Sequence, residues 1–178
     1  MKARNRRKKV EPWKKVLQFL IAFNALAIPL YIAMYTGFEF QPLQEFNSQM
    51  LYYTLQALGY NVQLDGSSIH LIAGLEAHKI DVSWDSTGWK SMYAVAALII
   101  ATPISTMEKK GKFILAGIAA MFVLNYLRIT TTIIISATYG FGFFDVVHTV
   151  LWREGLILAV VGYWFFWLRR ENYKIGER

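Results

Sequence analysis

Apolar residues fall in four long runs, 16–35, 89–107, 113–139 and 146–168, separated by short basic segments and one long polar connection. A helix needs about 20 consecutive, mostly apolar residues to cross a bilayer, so each run is long enough. Within them only Lys90, Arg128, Arg153 and Glu154 are charged. The pattern predicts an all-α polytopic membrane protein, a single membrane domain over 1–178 with transmembrane helices at 16–36, 87–107, 112–139 and 145–168. Pro29 falls inside the first helix, where it predicts a bend that neighbouring helices tolerate. Ala25-Leu26-Ala27 has the small-residue form of a signal-peptidase site, but the apolar run continues to Tyr35, as in an uncleaved anchor. The third run reaches about 40 Å by helical rise, beyond the ~30 Å hydrocarbon core, so it must tilt or protrude.

The connection at 37–85 has its own patterning. Leu43, Phe46, Met50, Tyr53 and Ala57 recur at helical spacing with Gln44, Glu45, Asn47 and Ser48 between them, an amphipathic helix that Gly59 ends. Val62-Gln63-Leu64 and Ile69-His70-Leu71 flank the turn-forming pair Asp65-Gly66. Ile80, Val82 and Trp84 alternate with Asp81, Ser83 and Asp85, the period-two pattern of a half-buried strand. The expectation is a small extracellular cap, part helix and part hairpin-like, that leads into Ser86-Thr87-Gly88 at the mouth of the second span. Tyr139-Gly140-Phe141-Gly142-Phe143-Phe144 then makes a glycine-aromatic turn after the third.

Charge orients this arrangement. The chain carries a net charge of +7, and 15 of its 19 Lys and Arg lie in three clusters, at 2–15, 109–112 and 169–178. Four spans with both ends inside place all three in the cytoplasm, as the positive-inside rule requires. Residues 1–15 are then a cytoplasmic head and 169–178 a cytoplasmic tail of a multi-pass plasma-membrane protein. Basic charge gathered beside the spans fits topology and contact with anionic membrane lipid rather than nucleic acid. There is no cysteine, hence no disulfide and no thiol chemistry.

Polar groups inside a bilayer are costly and call for a function. Asn125 and Arg128 are three apart on the third helix and share one face. Arg128 lies about 24 Å above Lys112 by helical rise, in the outer third of the membrane. Ser86 opens the second span and His148 the fourth, both on the outer side. Topology therefore brings a hydroxyl, a guanidinium and an imidazole to one depth. Covalent catalysis fits: residue 86 as nucleophile, His148 as its base, and Arg128 stabilising the oxyanion on a scissile carbonyl. Free backbone N–H groups of the helix start lie nearby, and Asn125 is placed to orient Arg128 or the substrate backbone. Each residue also has an ordinary reading. Ser86-Thr87-Gly88 would simply cap a helix, Arg128 would pair with Asp145 or Glu154, and His148 would be an interfacial residue. Arg153 and Glu154 would pair or reach outward, and His70 and His78 would sit on the surface. The sequence has no metal-ligand cluster and no phosphate loop, so no cofactor is expected.

Taken in order, Asp85-Ser86-Thr87-Gly88-Trp89-Lys90-Ser91, Asn125-x-x-Arg128-Ile129, Tyr139-Gly140 and His148 resemble the exosortase/archaeosortase family over roughly residues 50–165. The small size and the Ser-Thr-Gly-Trp-Lys form are most similar to archaeal members. The resemblance implies a membrane-embedded transpeptidase or sorting protease. Its substrate would be a membrane protein with a C-terminal tripartite signal of motif, transmembrane helix and basic tail, passed after cleavage to a lipid or glycan acceptor. It implies that Ser86 is the nucleophile position, Arg128 the catalytic arginine and His148 the third member, a role that some members give to an arginine and for which Arg153 is the second candidate. Thr87, Gly88, Asn125 and Arg153 would bind substrate. The family's nucleophile is a cysteine, and position 86 here is serine. A natural serine needs a stronger base than a thiol does, and a Cys→Ser replacement would keep the shape while suppressing turnover; both readings stay open. So do a serine-nucleophile membrane hydrolase and a non-enzymatic subunit or chaperone of a surface complex.

Overall fold

The computed structural model describes residues 11–73, 76–140, 142 and 152–176. It is mostly helical. In chain order the elements are α1 (Pro12–Tyr35), α2 (Gln41–Ala57), β1 (Asn61–Asp65), β2 (Ser68–Ala73), β3 (Glu76–Asp81), a 3-10 turn (Trp84–Thr87), α3 (Trp89–Ala101), α4 (Met107–Tyr139) and α5 (Trp152–Gly176). Among the described residues, α1 and α4 are long and apolar enough to cross a membrane, and α3 is a shorter apolar helix.

The helix boundaries follow local chemistry. Expected over 87–107, α3 stops at Ala101 after 13 residues, about 20 Å. Pro103 explains the stop, since the residue before proline is steered away from helical backbone. Thr102 is accordingly extended, with φ −73° and ψ 116°. Lys110, only 4% exposed, donates its ammonium to the carbonyl of Ile100 at 2.8 Å. That places a cation on the negative end of α3. α4 begins five residues earlier than expected and runs for 33 residues. α5 continues past 168 through the basic residues Arg169 and Arg170.

Two apolar cores lie along α4. One joins Val95 and Ile99 of α3, Met121 of α4, and Val160 and Trp167 of α5. There Tyr163 donates to the Phe113 carbonyl at 2.8 Å, and the Trp164 indole to Thr102 Oγ1 at 2.9 Å. The other joins Leu51 and Leu55 of α2, Val62, Ile69, Leu71 and Ile80 of the sheet, Val82, and Ile129 and Ile133 of α4. The sheet is an antiparallel meander in the order β1-β2-β3, with Leu64 opposite Ile69 and Ile69 opposite Ile80. Its β1–β2 turn uses Gly66 at φ +58°. Asn125 and Arg128 fall on α4 between the two cores. α1 has no buried residue. It is held by the Tyr93 hydroxyl on the Leu26 carbonyl at 2.6 Å and by Phe19 stacked on Trp164. Its exposed Val16, Leu17, Leu20, Ile21, Ile28 and Ile32 make a surface suited to hydrocarbon.

Two expectations for the connection change. α2 forms, but it buries Gln44, Asn47, Ser48, Leu51 and Leu55, while Phe46 is 50% and Tyr53 66% exposed. Its polar stripe faces inward, where two of its side chains find backbone carbonyls. Ser48 Oγ donates to Ser67 O at 2.8 Å and Asn47 to Leu43 O at 2.8 Å. Of the apolar stripe, Phe46 meets Phe122 of α4, while Tyr53 stays exposed. The strand expected to run through Asp85 ends at Asp81. Val82 stays buried through its N–H bond to Ser67 O at 3.0 Å. The chain then turns.

Candidate active site

The segment between β3 and α3 is built by serine hydrogen bonds. Ser83 caps the 3-10 turn: the Ser86 N–H donates to Ser83 O at 3.0 Å and to Ser83 Oγ at 3.3 Å. The two hydroxyl oxygens lie 2.9 Å apart. Thr87, fully buried, donates its hydroxyl to Trp84 O at 2.8 Å. Gly88, at φ +78°, is the N-cap of α3, and its carbonyl accepts from Ser91 N, Met92 N and Ser91 Oγ. Within Ser86-Thr87-Gly88, read as a simple helix cap, it is Gly88 that caps α3. Ser86 sits one turn earlier, half-buried, with its side chain directed to Ser83.

α4 grips this turn from the other side. Asn125 is fully buried and its Nδ2 donates to the Ser86 carbonyl at 2.8 Å. Arg128, 7% exposed, reaches the same oxygen with Nη2 at 3.4 Å. One helical turn separates the two donors, so one carbonyl serves both. Asn125 Oδ1 and Arg128 Nε are buried with no hydrogen-bond partner among the described residues. Unpartnered buried polar atoms are expensive, and a catalytic or binding role is one of the reasons a fold keeps them. The Arg128 carbonyl accepts from Thr132 at 2.8 Å. Arg128 thus bonds a backbone carbonyl. Asp145, one of its candidate ion-pair partners, lies outside the described residues.

Two clefts border the turn. A narrow one of about 30 Å³, room for roughly one water, is lined by Asp81, Ser86, Thr132, Ile80, Ile129 and Ile133 beside Val82. The Ser68 hydroxyl, and after it Lys79, hold the Asp81 carboxyl below its ordinary range. A carboxylate so stabilised is a weak base, so Asp81 is a poor candidate for taking the Ser86 proton. The second cleft, about 320 Å³, opens between the end of α1 and residues 83–90. Its aromatic wall stacks Trp84 on Trp89 with centroids 5.1 Å apart, and Phe38 and Phe40 meet Trp84 edge-on. Asp85 and Lys90 pair across its rim at 2.8 Å. A larger cavity of about 790 Å³ lies at the opposite end of the bundle, around residues 104–116, Arg170 and Glu171.

Five of the residues singled out in the sequence, Ser86, Thr87, Gly88, Asn125 and Arg128, belong to this one bonded unit. His148 lies outside the described residues, as does the side chain of Arg153. Ser83 was missed: by alternation it reads as the polar side of a strand. The usable signal was its spacing, since a serine three residues before another is placed to cap a turn.

A family model described as transmembrane exosortase matches residues 12–167. No curated protein and no solved structure matches the chain.

Proposed function

The chain belongs to the transmembrane exosortase family, and on that premise we propose that it is a membrane-embedded sorting transpeptidase whose nucleophile stands at position 86. Its substrate is a membrane protein with a C-terminal transmembrane sorting signal, and its acceptor is a lipid or glycan nucleophile. The observation that carries the reading is the joint hold of Asn125 and Arg128 on the Ser86 carbonyl. It couples the Asn-x-x-Arg face of α4 to the turn that presents residue 86.

The chemistry is acyl transfer. The residue-86 side chain attacks the scissile carbonyl carbon while its proton passes to a base, the role that falls to His148. The carbonyl oxygen becomes an oxyanion, and the Arg128 guanidinium is the cation placed to stabilise it. Collapse breaks the C–N bond, and the amine leaves with the proton. The acceptor then displaces residue 86 from the acyl group and restores its proton. Arg128 is suited to this because its Nη2 contact is long and its Nε is unpartnered. Substrate loses little by drawing it away. Serine at 86 makes the attack depend more on the base than a thiol would.

Four spans with cytoplasmic termini would put the turn on the extracytoplasmic side. α3 is roughly 10 Å shorter than the hydrocarbon core, so residue 86 would lie below the surface. A substrate helix docked beside α4 and α5 would deliver its cleavage point at that depth.

Co-expression with a tail-signal protein tests the proposal. Processing is expected to be strongest with Ser86→Cys, weaker or absent with the chain as it stands, and absent with Ser86→Ala. Equal processing by Ser86→Ala would end the assignment of the nucleophile.

A further inference from the structure

Ser83 makes two kinds of contact with Ser86, and together they set a direction. Its Oγ accepts from the Ser86 N–H at 3.3 Å, which occupies one lone pair. Its hydroxyl hydrogen remains to be placed, and Ser86 Oγ, 2.9 Å away, is an acceptor in range. A cap needs only the acceptor. The second contact is more than a cap requires.

We infer that Ser83 is a positioning residue for the nucleophile, donating its hydroxyl hydrogen to the side-chain atom of residue 86. The inference rests on the reading of position 86 as the nucleophile. Donation in this direction leaves the residue-86 proton free to go to the base. The reverse direction would tie that proton to Ser83. Once residue 86 is deprotonated only the Ser83 donor can operate, and a hydrogen bond to an ionised acceptor is about twice as strong as a neutral one. Ser83 keeps its own proton throughout. Its hydroxyl therefore favours the reactive anion over the resting form, and also fixes the rotamer from which attack begins.

Other charges face the same position. Asp81 lines the narrow cleft with Ser86 and is bonded to Ser68 and paired with Lys79. Asp85 is adjacent in the turn and paired with Lys90, and Arg128 of α4 holds the Ser86 carbonyl. These are common to every variant below, so a difference among variants reports the Ser83 hydroxyl.

The absence of cysteine allows a test that does not depend on turnover. Ser86→Cys creates a unique thiol, and its alkylation rate by iodoacetamide against pH gives the thiol's titration midpoint in the purified full chain. Adding Ser83→Ala or Ser83→Gly is expected to raise that midpoint by about one unit, a tenfold smaller thiolate fraction below it. Ser83→Thr, which keeps the donor, is expected to leave it in place. Glycine is tolerated at N-caps, so Ser83→Gly carries the test where Ser83→Ala fails to accumulate. Unchanged midpoints in the donor-less variants, or a Ser83→Thr midpoint that moves with theirs, overturn the inference. Processing by the Ser86→Cys parent separates the two readings. Cleavage with unmoved midpoints removes Ser83 alone, whereas moved midpoints with cleavage that persists in Ser86→Ala remove the nucleophile assignment.

Discussion

Gly88 and Asn125 stand so close that no side chain fits between them: a Cβ on Gly88 would lie 2.6 Å from Asn125 Cγ and 2.9 Å from its Nδ2. The same Nδ2 holds the Ser86 carbonyl. The glycine is thus required twice, by its φ of +78° and by the amide packed against it.

Gly88→Ala is expected to destabilise the protein by about 3 kcal/mol, from left-handed backbone strain of roughly 1–2 and overpacking of roughly 1–3. Thermal unfolding in detergent measures it. Asn125→Ala in the Gly88→Ala background removes Cγ and Nδ2 but keeps a Cβ 2.8 Å away, so it is expected to recover only part of the overpacking and to leave the strain. A Gly88→Ala chain as stable as the parent would contradict the close approach.

In the Ser86→Cys background, Arg128→Lys is expected to slow processing by about 10²–10³-fold, while the protein still accumulates. An ammonium cannot present a fork to both the turn and an oxyanion. Asn125→Ala leaves Arg128 on the Ser86 carbonyl and is expected to cost less, about tenfold. Gel-shift assay of a co-expressed substrate reads both. If Arg128→Lys processes normally, the guanidinium fork is not needed for the chemistry.

Lys110→Met removes the cation that caps α3 and leaves the Ile100 carbonyl unpaired. A loss of about 1–2 kcal/mol in unfolding stability is expected from the lost bond and dipole contact. Since α3 separates Lys110 from residue 86, the folded fraction should retain its thiol reactivity in the Ser86→Cys background. A variant as stable as the parent would show that the buried cation costs as much as its bond returns.

Asp81 predicts a pH dependence. Its folded carboxyl titrates below the ordinary value, chiefly through Ser68. A depressed acid contributes stability above its unfolded pKa and loses it as pH falls through the folded one. The difference in unfolding temperature between the parent and Asp81→Asn should therefore be constant near neutrality. It should shrink on acidification below about pH 4. It should be small, because Asp81 is exposed to solvent. A difference that grows on acidification would contradict the Ser68 contact.

What the sequence determined alone is what depends on composition along a line: the apolar runs, the helices they form, and the polar residues that stand out against them. Asn125 and Arg128 were legible because amide and guanidinium groups are costly among apolar neighbours. Even the end of α3 was written in Thr102-Pro103, though a running apolar pattern concealed it. What only the tertiary structure decided is which groups meet. The polar stripe of α2 turned inward because Ser48 found the Ser67 carbonyl, a partner 19 residues away that no periodicity reveals. Ser86 faces Ser83, and its carbonyl is shared by Asn125 and Arg128, because a glycine lets α4 come within contact distance of the turn. Hydrophobicity is a property each residue carries with it, whereas a hydrogen bond between distant residues exists only once the packing of whole helices has set its length.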